Sequence, residues 1–345
     1  MTHKQRVMTV LDGKTPDRVP VVPQSFLFSI ESAGLKMSDV VRSPERMAGA
    51  LAECRERYGY DGCIIDYDDA TLAEACGAKV IYRDEDPAIV DESCLLVQDY
   101  AQVKDLELPD PKSSGRLPVW LETTTRLVEL TNDEVFVMGR ADQGPFDLAC
   151  LLRGAENFMT DMIEGDPEDI AALIDYCRRA NAIFSKAQKD AGAHATSIGD
   201  SFAGPNLISP ALYRQFALGP EIELTAEVQA YGIPFSIHIC GNTGAILADM
   251  VTTGARILEL DWQVDLAEAS RLAGGRCAIL GNINPSDPMA FGNPDEVDRL
   301  CRAAIDATGG RNFILSSGCA LGRNTKPENV RAMVEAAKKY SPTGC

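Results

Sequence analysis

Short β-rich runs alternate with helix-period segments along almost the whole chain, and this alternation constrains the fold more than any other feature. The candidate strands are 19–28 (VPVVPQSFLF), 61–69, 135–142, 194–202, 234–241 (PFSIHICG), 256–262, 277–284 and 313–319. Between most of them, as in 153–190, 209–231 and 295–308, apolar residues recur at i, i+3, i+4 spacing, the pattern of helices with one buried face. About eight strands, each followed by a helix, is the count of a TIM (β/α)8 barrel, an α/β fold. The 345 residues fit such a barrel as one domain, 1–345. The segment 79–100 (KVIYRDEDPAIVDESCLLVQDY) breaks the alternation and predicts a β-hairpin over one edge of the barrel. Asp166-Pro167-Glu168 and Asn293-Pro294-Asp295 read as helix starts with acidic first turns and mark structure only.

The runs share a polar ending: Asp66 and Asp68, Asp142 with Gln143, Asp200 with Ser201, His238 with Cys240, Asp261, Asn282 with Asn284, and Ser317 with Cys319. In a barrel these positions form the C-terminal face, where active sites are built from strand ends and the loops that follow. Solvation of loops accounts for the Asp and Ser residues. It accounts less easily for a histidine and two cysteines.

Side chains alternate along a strand, so His238 and Cys240 share one face while Ile237, Ile239 and Gly241 take the other. Imidazole nitrogen and thiolate sulfur both suit Zn²⁺, and Cys319 at the end of the eighth run is available as a third soft ligand. Three protein ligands and an exchangeable fourth position form the pattern of a catalytic zinc site. Glu259 and Asp261 share a face of the 256–262 run, and Asp261, nearer the strand end, is the preferred fourth ligand. Two other readings stay open: ordinary core filling, since free cysteine buries readily, and a Cys/His nucleophile pair. The i, i+2 geometry aims both groups at a third point, which suits shared ligation better than proton transfer between them. Gln143, Asp200, Asn242, Asn282 and Ser317 are candidate pocket residues, or caps for the loops that follow. Arg140 and Arg323 are candidates to hold a sulfonate or carboxylate, or to pair with acidic neighbours.

Composition narrows the partners. Eleven cysteines, an odd number with no C-x-x-C pair, fit reduced thiols better than a disulfide framework. A net charge of −18 disfavours nucleic acid and anionic lipid. No apolar run is long enough for a bilayer span and the first twenty residues lack a secretory pattern, so a cytoplasmic location is expected.

Several stretches together carry a family resemblance: RVMTVLDGKTPDRVPVVP, YGYDGCIIDYDDATLAEACGAKV, LLRGAENFMTDMIEGDPEDI, ISPALYRQFALGPEIEL, and ILELDWQVDLAEASRL followed by ILGNINP. Over nearly its whole length the chain resembles the uroporphyrinogen decarboxylase superfamily, whose fold is the TIM barrel. Within it, HICGNT and SSGC are similar to the corrinoid-dependent methyltransferase branch, which includes methylcobamide:coenzyme M methyltransferases. The resemblance implies zinc on His238, Cys240 and Cys319. It also implies methyl transfer between cobalamin on a separate corrinoid-binding protein and a small thiol, pterin or methylated substrate, in a direction the sequence leaves open. No D-x-H-x-x-G cobalamin-binding signature is present, consistent with a partner that carries the corrinoid. A methyl group leaves corrinoid cobalt by nucleophilic displacement, and zinc makes a competent nucleophile of a thiol by removing its proton. The decarboxylase branch fits less well, because its arginine-rich R-Q-A-G-R segment after the first strand is replaced here by PQSFLFSIESAG. A barrel that binds a small ligand without turnover is the non-enzymatic alternative.

Overall fold

The computed structural model describes residues 1–341. Seven parallel strands follow one another around a curved sheet in sequence order: β1 (Gly62–Ile65), β2 (Phe136–Gln143), β3 (Ala195–Gly199), β4 (Phe235–Ile239), β5 (Ile257–Leu260), β6 (Ala278–Ile283) and β7 (Phe313–Ser317). Each connection carries helix, as parallel neighbours require. Seven of the eight expected runs therefore form strands; six are shorter than their sequence limits, with their polar ends in the loops that follow, while β2 keeps its full length and runs on through Gln143.

The first run behaves differently. Only its beginning is extended: Val21 bridges Leu315 in parallel, Val22 N–H donates to Leu315 O at 2.9 Å, and Leu315 N–H donates to Pro20 O at 2.9 Å. On the other side Asp61 N–H donates to Val21 O at 2.6 Å, so residues 20–22 stand between β7 and the start of β1 and close the barrel. Pro20 and Pro23 have no N–H to give a ladder, which keeps this stave to a few residues. The strand expected over 26–28 is instead the opening of a helix, Phe26–Ser32.

Interior side chains change character along the barrel axis. Toward the N-terminal ends Val22, Ile64, Phe136, Met138, Ala195, Ile257, Leu280 and Ile314 form an apolar plug, joined by Val7, Val10 and Leu11 of the helix His3–Leu11. The same inward faces continue as Arg140 on β2, His238 and then Cys240 after β4, and Glu259 on β5. A dry floor thus underlies a polar C-terminal half, and the larger apolar cluster packs the outer strand faces against the helices. Cys54 and Cys177 lie buried on helices Pro44–Tyr58 and Pro167–Asp190; Cys345 lies outside the described residues.

The insertion forms a hairpin as expected, with Val80–Ile81 antiparallel to Ile89–Val90. Its paired part is shorter than 79–100, and 3₁₀ turns at Glu92–Cys94 and Tyr100–Asp105 follow it. Among the described residues, no helix is long and apolar enough to cross a membrane.

Candidate metal centre

β4 carries His238 inward, and Gly241 ends the strand after Cys240 with φ +86°, a left-handed turn that suits glycine. Cys319 arrives from the far side of β5 and β6. Gly318 permits that crossing: its N–H donates to Ile283 O at 2.7 Å, and a Cβ there would stand 2.5 Å from Trp262 N. Asn282 Nδ2 braces the same corner by donating to the carbonyls of Asp261 (3.0 Å) and Val264 (2.8 Å).

The result is one compact donor set. His238 Nε2 is 3.0 Å from Cys240 Sγ, which is 3.8 Å from Cys319 Sγ, and all three ligand atoms lie within 4.8 Å of one another. Among the described residues this is the one group of three or more His, Cys, Asp or Glu donors so gathered. His238 Nδ1 is 3.1 Å from Glu259 O, a contact that places the ring proton on Nδ1 and leaves Nε2 to ligate. Without a metal the group holds protons instead. A hydrogen bond from the Cys319 thiol, followed by the His238 charge, brings the Cys240 thiol well below its ordinary value, while the same bond pushes Cys319 up. Burial would lower His238, but the Cys240 thiolate outweighs it and raises the ring to about 9. An imidazolium and a thiol flanking one thiolate offer two protons for a dication to displace, so the donor chemistry fits zinc.

Neither proposed carboxylate ligand joins the group. Glu259 Oε2 accepts from Arg140 Nη2 at 2.9 Å and Oε1 accepts from Ser236 Oγ at 2.8 Å, so this fully buried side chain is committed to the barrel interior. Asp261 Oδ1 accepts from Gln263 N–H at 3.0 Å at the lip of β5.

The donor set opens into a cavity of about 1030 Å³, roofed by Ile81, Ala88 and Ile89 of the hairpin and walled by Phe26, Leu27 and Phe202. Of the expected pocket residues, Gln143 and Arg140 line it. Gln143 Nε2 donates to Asp69 Oδ1 at 2.6 Å, and Arg140 Nε pairs with Asp66 at 3.1 Å while its Nη2 serves Glu259. The other expected residues serve the backbone. Asp200 Oδ1 accepts from Asp147 N–H at 2.7 Å, and Asp147 answers by accepting from the N–H groups of Ser201 and Phe202. Asn242 Oδ1 accepts from Gly244 N–H, and Ser317 Oγ accepts from Gln24 N–H. Arg323 Nη1 reaches Glu85 on the hairpin at 3.5 Å.

Sequence reasoning missed Gln24, Phe26, Leu27 and Asp69 as cavity residues. Asp69 was within reach, since it closes the DYDD that follows β1, but 26–27 had been assigned to a strand. Burial pushes Asp66 up to about 8 against the pull of Arg140, while Asp69 is exposed to the open cavity.

The family model for uroporphyrinogen decarboxylase matches residues 2–340. The chain is 27% identical over 344 residues to the methylcobamide:CoM methyltransferase MtbA of Methanosarcina mazei, covering 98% of each. It is 29% identical over 313 residues to a uroporphyrinogen decarboxylase of Syntrophotalea carbinolica, covering 89% of this chain and 88% of the relative. A solved methyltransferase structure from Methanosarcina mazei superposes with a TM-score of 0.90 at 25% identity, covering 99% of both chains.

Proposed function

We propose that this chain, which belongs to the uroporphyrinogen decarboxylase family, is a zinc-dependent methyltransferase that moves a methyl group between a corrinoid and a small molecule held at Cys240 and Cys319. One observation carries this reading. Three soft donors, from the ends of strands three places apart in the sheet, converge below a cavity with the spare imidazole nitrogen held by a backbone carbonyl. The similarity to relatives named as methylcobamide:CoM methyltransferases supports corrinoid-linked methyl transfer.

When bound, zinc supplies a soft Lewis acid that ionises a thiol near neutral pH, and the corrinoid supplies or takes the methyl group. The chain's own residues fix the geometry. His238, Cys240 and Cys319 would hold the metal, the Glu259 carbonyl sets the imidazole tautomer, and Asp261, which stands outside the donor set with its Oδ1 on the Gln263 N–H, would have to turn inward to serve as an exchangeable fourth ligand. Phe26, Leu27, Phe202 and the hairpin keep water from the reacting sulfur. A separate corrinoid-binding protein meets the cavity at the C-terminal face, and the expected setting is the cytoplasm.

Decarboxylation of a tetrapyrrole is the second reading, and the Syntrophotalea relative favours it. Against it, the segment after the closing stave lines the cavity with Gln24, Phe26 and Leu27 and contains no arginine to hold a polyanion. Elemental analysis of purified protein should find about one zinc per chain. The absorption change between methylcobalamin and cob(I)alamin should report methyl transfer with a small thiol, lost on chelation and regained with zinc. A zinc-free protein that consumes uroporphyrinogen would overturn the proposal.

A further inference from the structure

The inner cavity is lined by more carboxyl groups than guanidinium groups. Arg140 is its buried cation, and that guanidinium is divided between two carboxylates, Asp66 and Glu259. Asp69 adds a third carboxylate whose only hydrogen-bond partner among the described side chains is the neutral Gln143 amide. Asp69 lines the same cavity as His238 and Cys240. Asp66 is more informative still. It is 8% exposed and lines the cavity, yet its Oδ1 is buried and has no hydrogen-bond partner among the described residues. Buried carboxylate oxygens are seldom left without a donor, and this cavity is where a donor has room to arrive. The other cation on the cavity wall, Arg83, sits on the exposed hairpin beside Asp86.

Resting on the zinc-methyltransferase reading, we propose that the small molecule held at Cys240 and Cys319 carries a cationic N–H donor, so that the methyl acceptor is an aminothiol whose ammonium pairs with Asp66 and Asp69. An ammonium placed there donates to the Asp66 oxygen, takes the place of the proton that burial otherwise keeps on that carboxyl, and offsets the charge of Asp69. A sulfonate or carboxylate placed there meets Asp66 and Asp69 against an Arg140 whose charge is already shared with Asp66 and Glu259. The inference therefore sets this chain apart from relatives named for CoM in the acceptor it takes, while leaving the metal chemistry common to both.

Three thiols of equal chain length test it: 2-aminoethanethiol, 2-mercaptoethanol and 2-mercaptoethanesulfonate, titrated calorimetrically into zinc-loaded protein whose zinc content is measured on the same sample. The amine should bind tightest and the sulfonate weakest, with at least about tenfold between them. Asp69→Asn should narrow that span to within about threefold without loss of zinc. Asp66→Asn should do the same, and Asp69→Asn stands alone if loss of the Arg140 partner prevents the Asp66 variant from folding. With zinc present at about one per chain, a sulfonate that matches or exceeds the amine overturns the inference and leaves the methyltransferase reading intact. An unaltered span in Asp69→Asn also overturns it. Protein that takes up no zinc and binds none of the three thiols overturns the methyltransferase reading and this inference with it.

Discussion

At the scale of single residues, the two cysteines of the donor set separate cleanly from other cysteines of the chain. Cys240 and Cys319 are half-buried at the cavity, whereas Cys54 and Cys177 are buried on helices and burial pushes their thiols up. Replacing Cys240 or Cys319 with alanine should remove most of the zinc, and Cys54→Ala or Cys177→Ala should leave it in place; full occupancy in both site variants, read by elemental analysis, would dismiss the site. The two carboxylates of β5 part company as well. Glu259→Ala leaves Arg140 buried with Asp66 alone, a loss of about 3–5 kcal/mol in denaturant unfolding, with zinc coordination unchanged. Asp261→Ala should retain zinc and change its coordination shell in X-ray absorption, and an unchanged spectrum would assign the fourth position to water or another residue. His238, Cys240 and Cys319 were legible in the sequence because a strand of known direction fixes which side chains share a face. The role of Glu259 was not, because its partners Arg140 and Ser236 stand on other strands and no local pattern announces them.

At the scale of elements, the centre depends on a loop that must cross two strand ends. Cys319 follows β7, whereas His238 lies on β4 and Cys240 just after it, and the backbone of Gly318 passes so near Trp262 and Asp261 that a Cβ would meet main-chain atoms at 2.5 and 3.1 Å. Main-chain atoms cannot swing aside as a side-chain tip can. Gly318→Ala should therefore shift Cys319 outward and weaken zinc retention in a chelator competition by about tenfold or more, while the melting temperature moves by only a few degrees. Equal zinc affinity in the variant would show that the loop has slack. The strands and hairpin were readable from their period and their polar ends. The helix Phe26–Ser32 was not, because VPVVPQSFLF is apolar on both sides of Gln24 and Ser25, and short apolar runs do not distinguish strand from buried helix. That ambiguity hid Phe26 and Leu27 from the expected cavity wall.

At the scale of the whole molecule, closure of the barrel rests on Asp61, a fully buried carboxylate at the foot of β1. Its oxygens accept from Arg6 Nη1 (2.7 Å), Arg18 Nη1 (2.7 Å) and Nη2 (2.9 Å) and the Val21 N–H (2.8 Å), with His3 Nδ1 also at 2.7 Å. One side chain thereby ties the N-terminal helix and the 20–22 stave to β1, opposite the end that carries the His238, Cys240 and Cys319 donor set. Burial opposes ionisation of Asp61, but these hydrogen bonds and positive charges outweigh it and hold the carboxyl below its ordinary value. A carboxyl depressed in the folded state contributes stability that is complete above its unfolded value, near 3.9, and is lost as pH falls through the folded one. Asp61→Asn keeps the shape but removes the charge that Arg6 and Arg18 share, and should cost about 3–5 kcal/mol at neutral pH. Its stability should then fall less steeply than the wild type's as the medium is acidified below about pH 4. Zinc bound per folded chain should not change, because the apolar plug of Val7, Val22, Phe136 and Ile314 stands between Asp61 and the donor set. Parallel acid-unfolding curves for variant and wild type would remove Asp61 as the charge that holds the barrel shut. A loss of zinc in step with stability would mean that closure at the foot and assembly of the metal centre at the mouth form one cooperative unit.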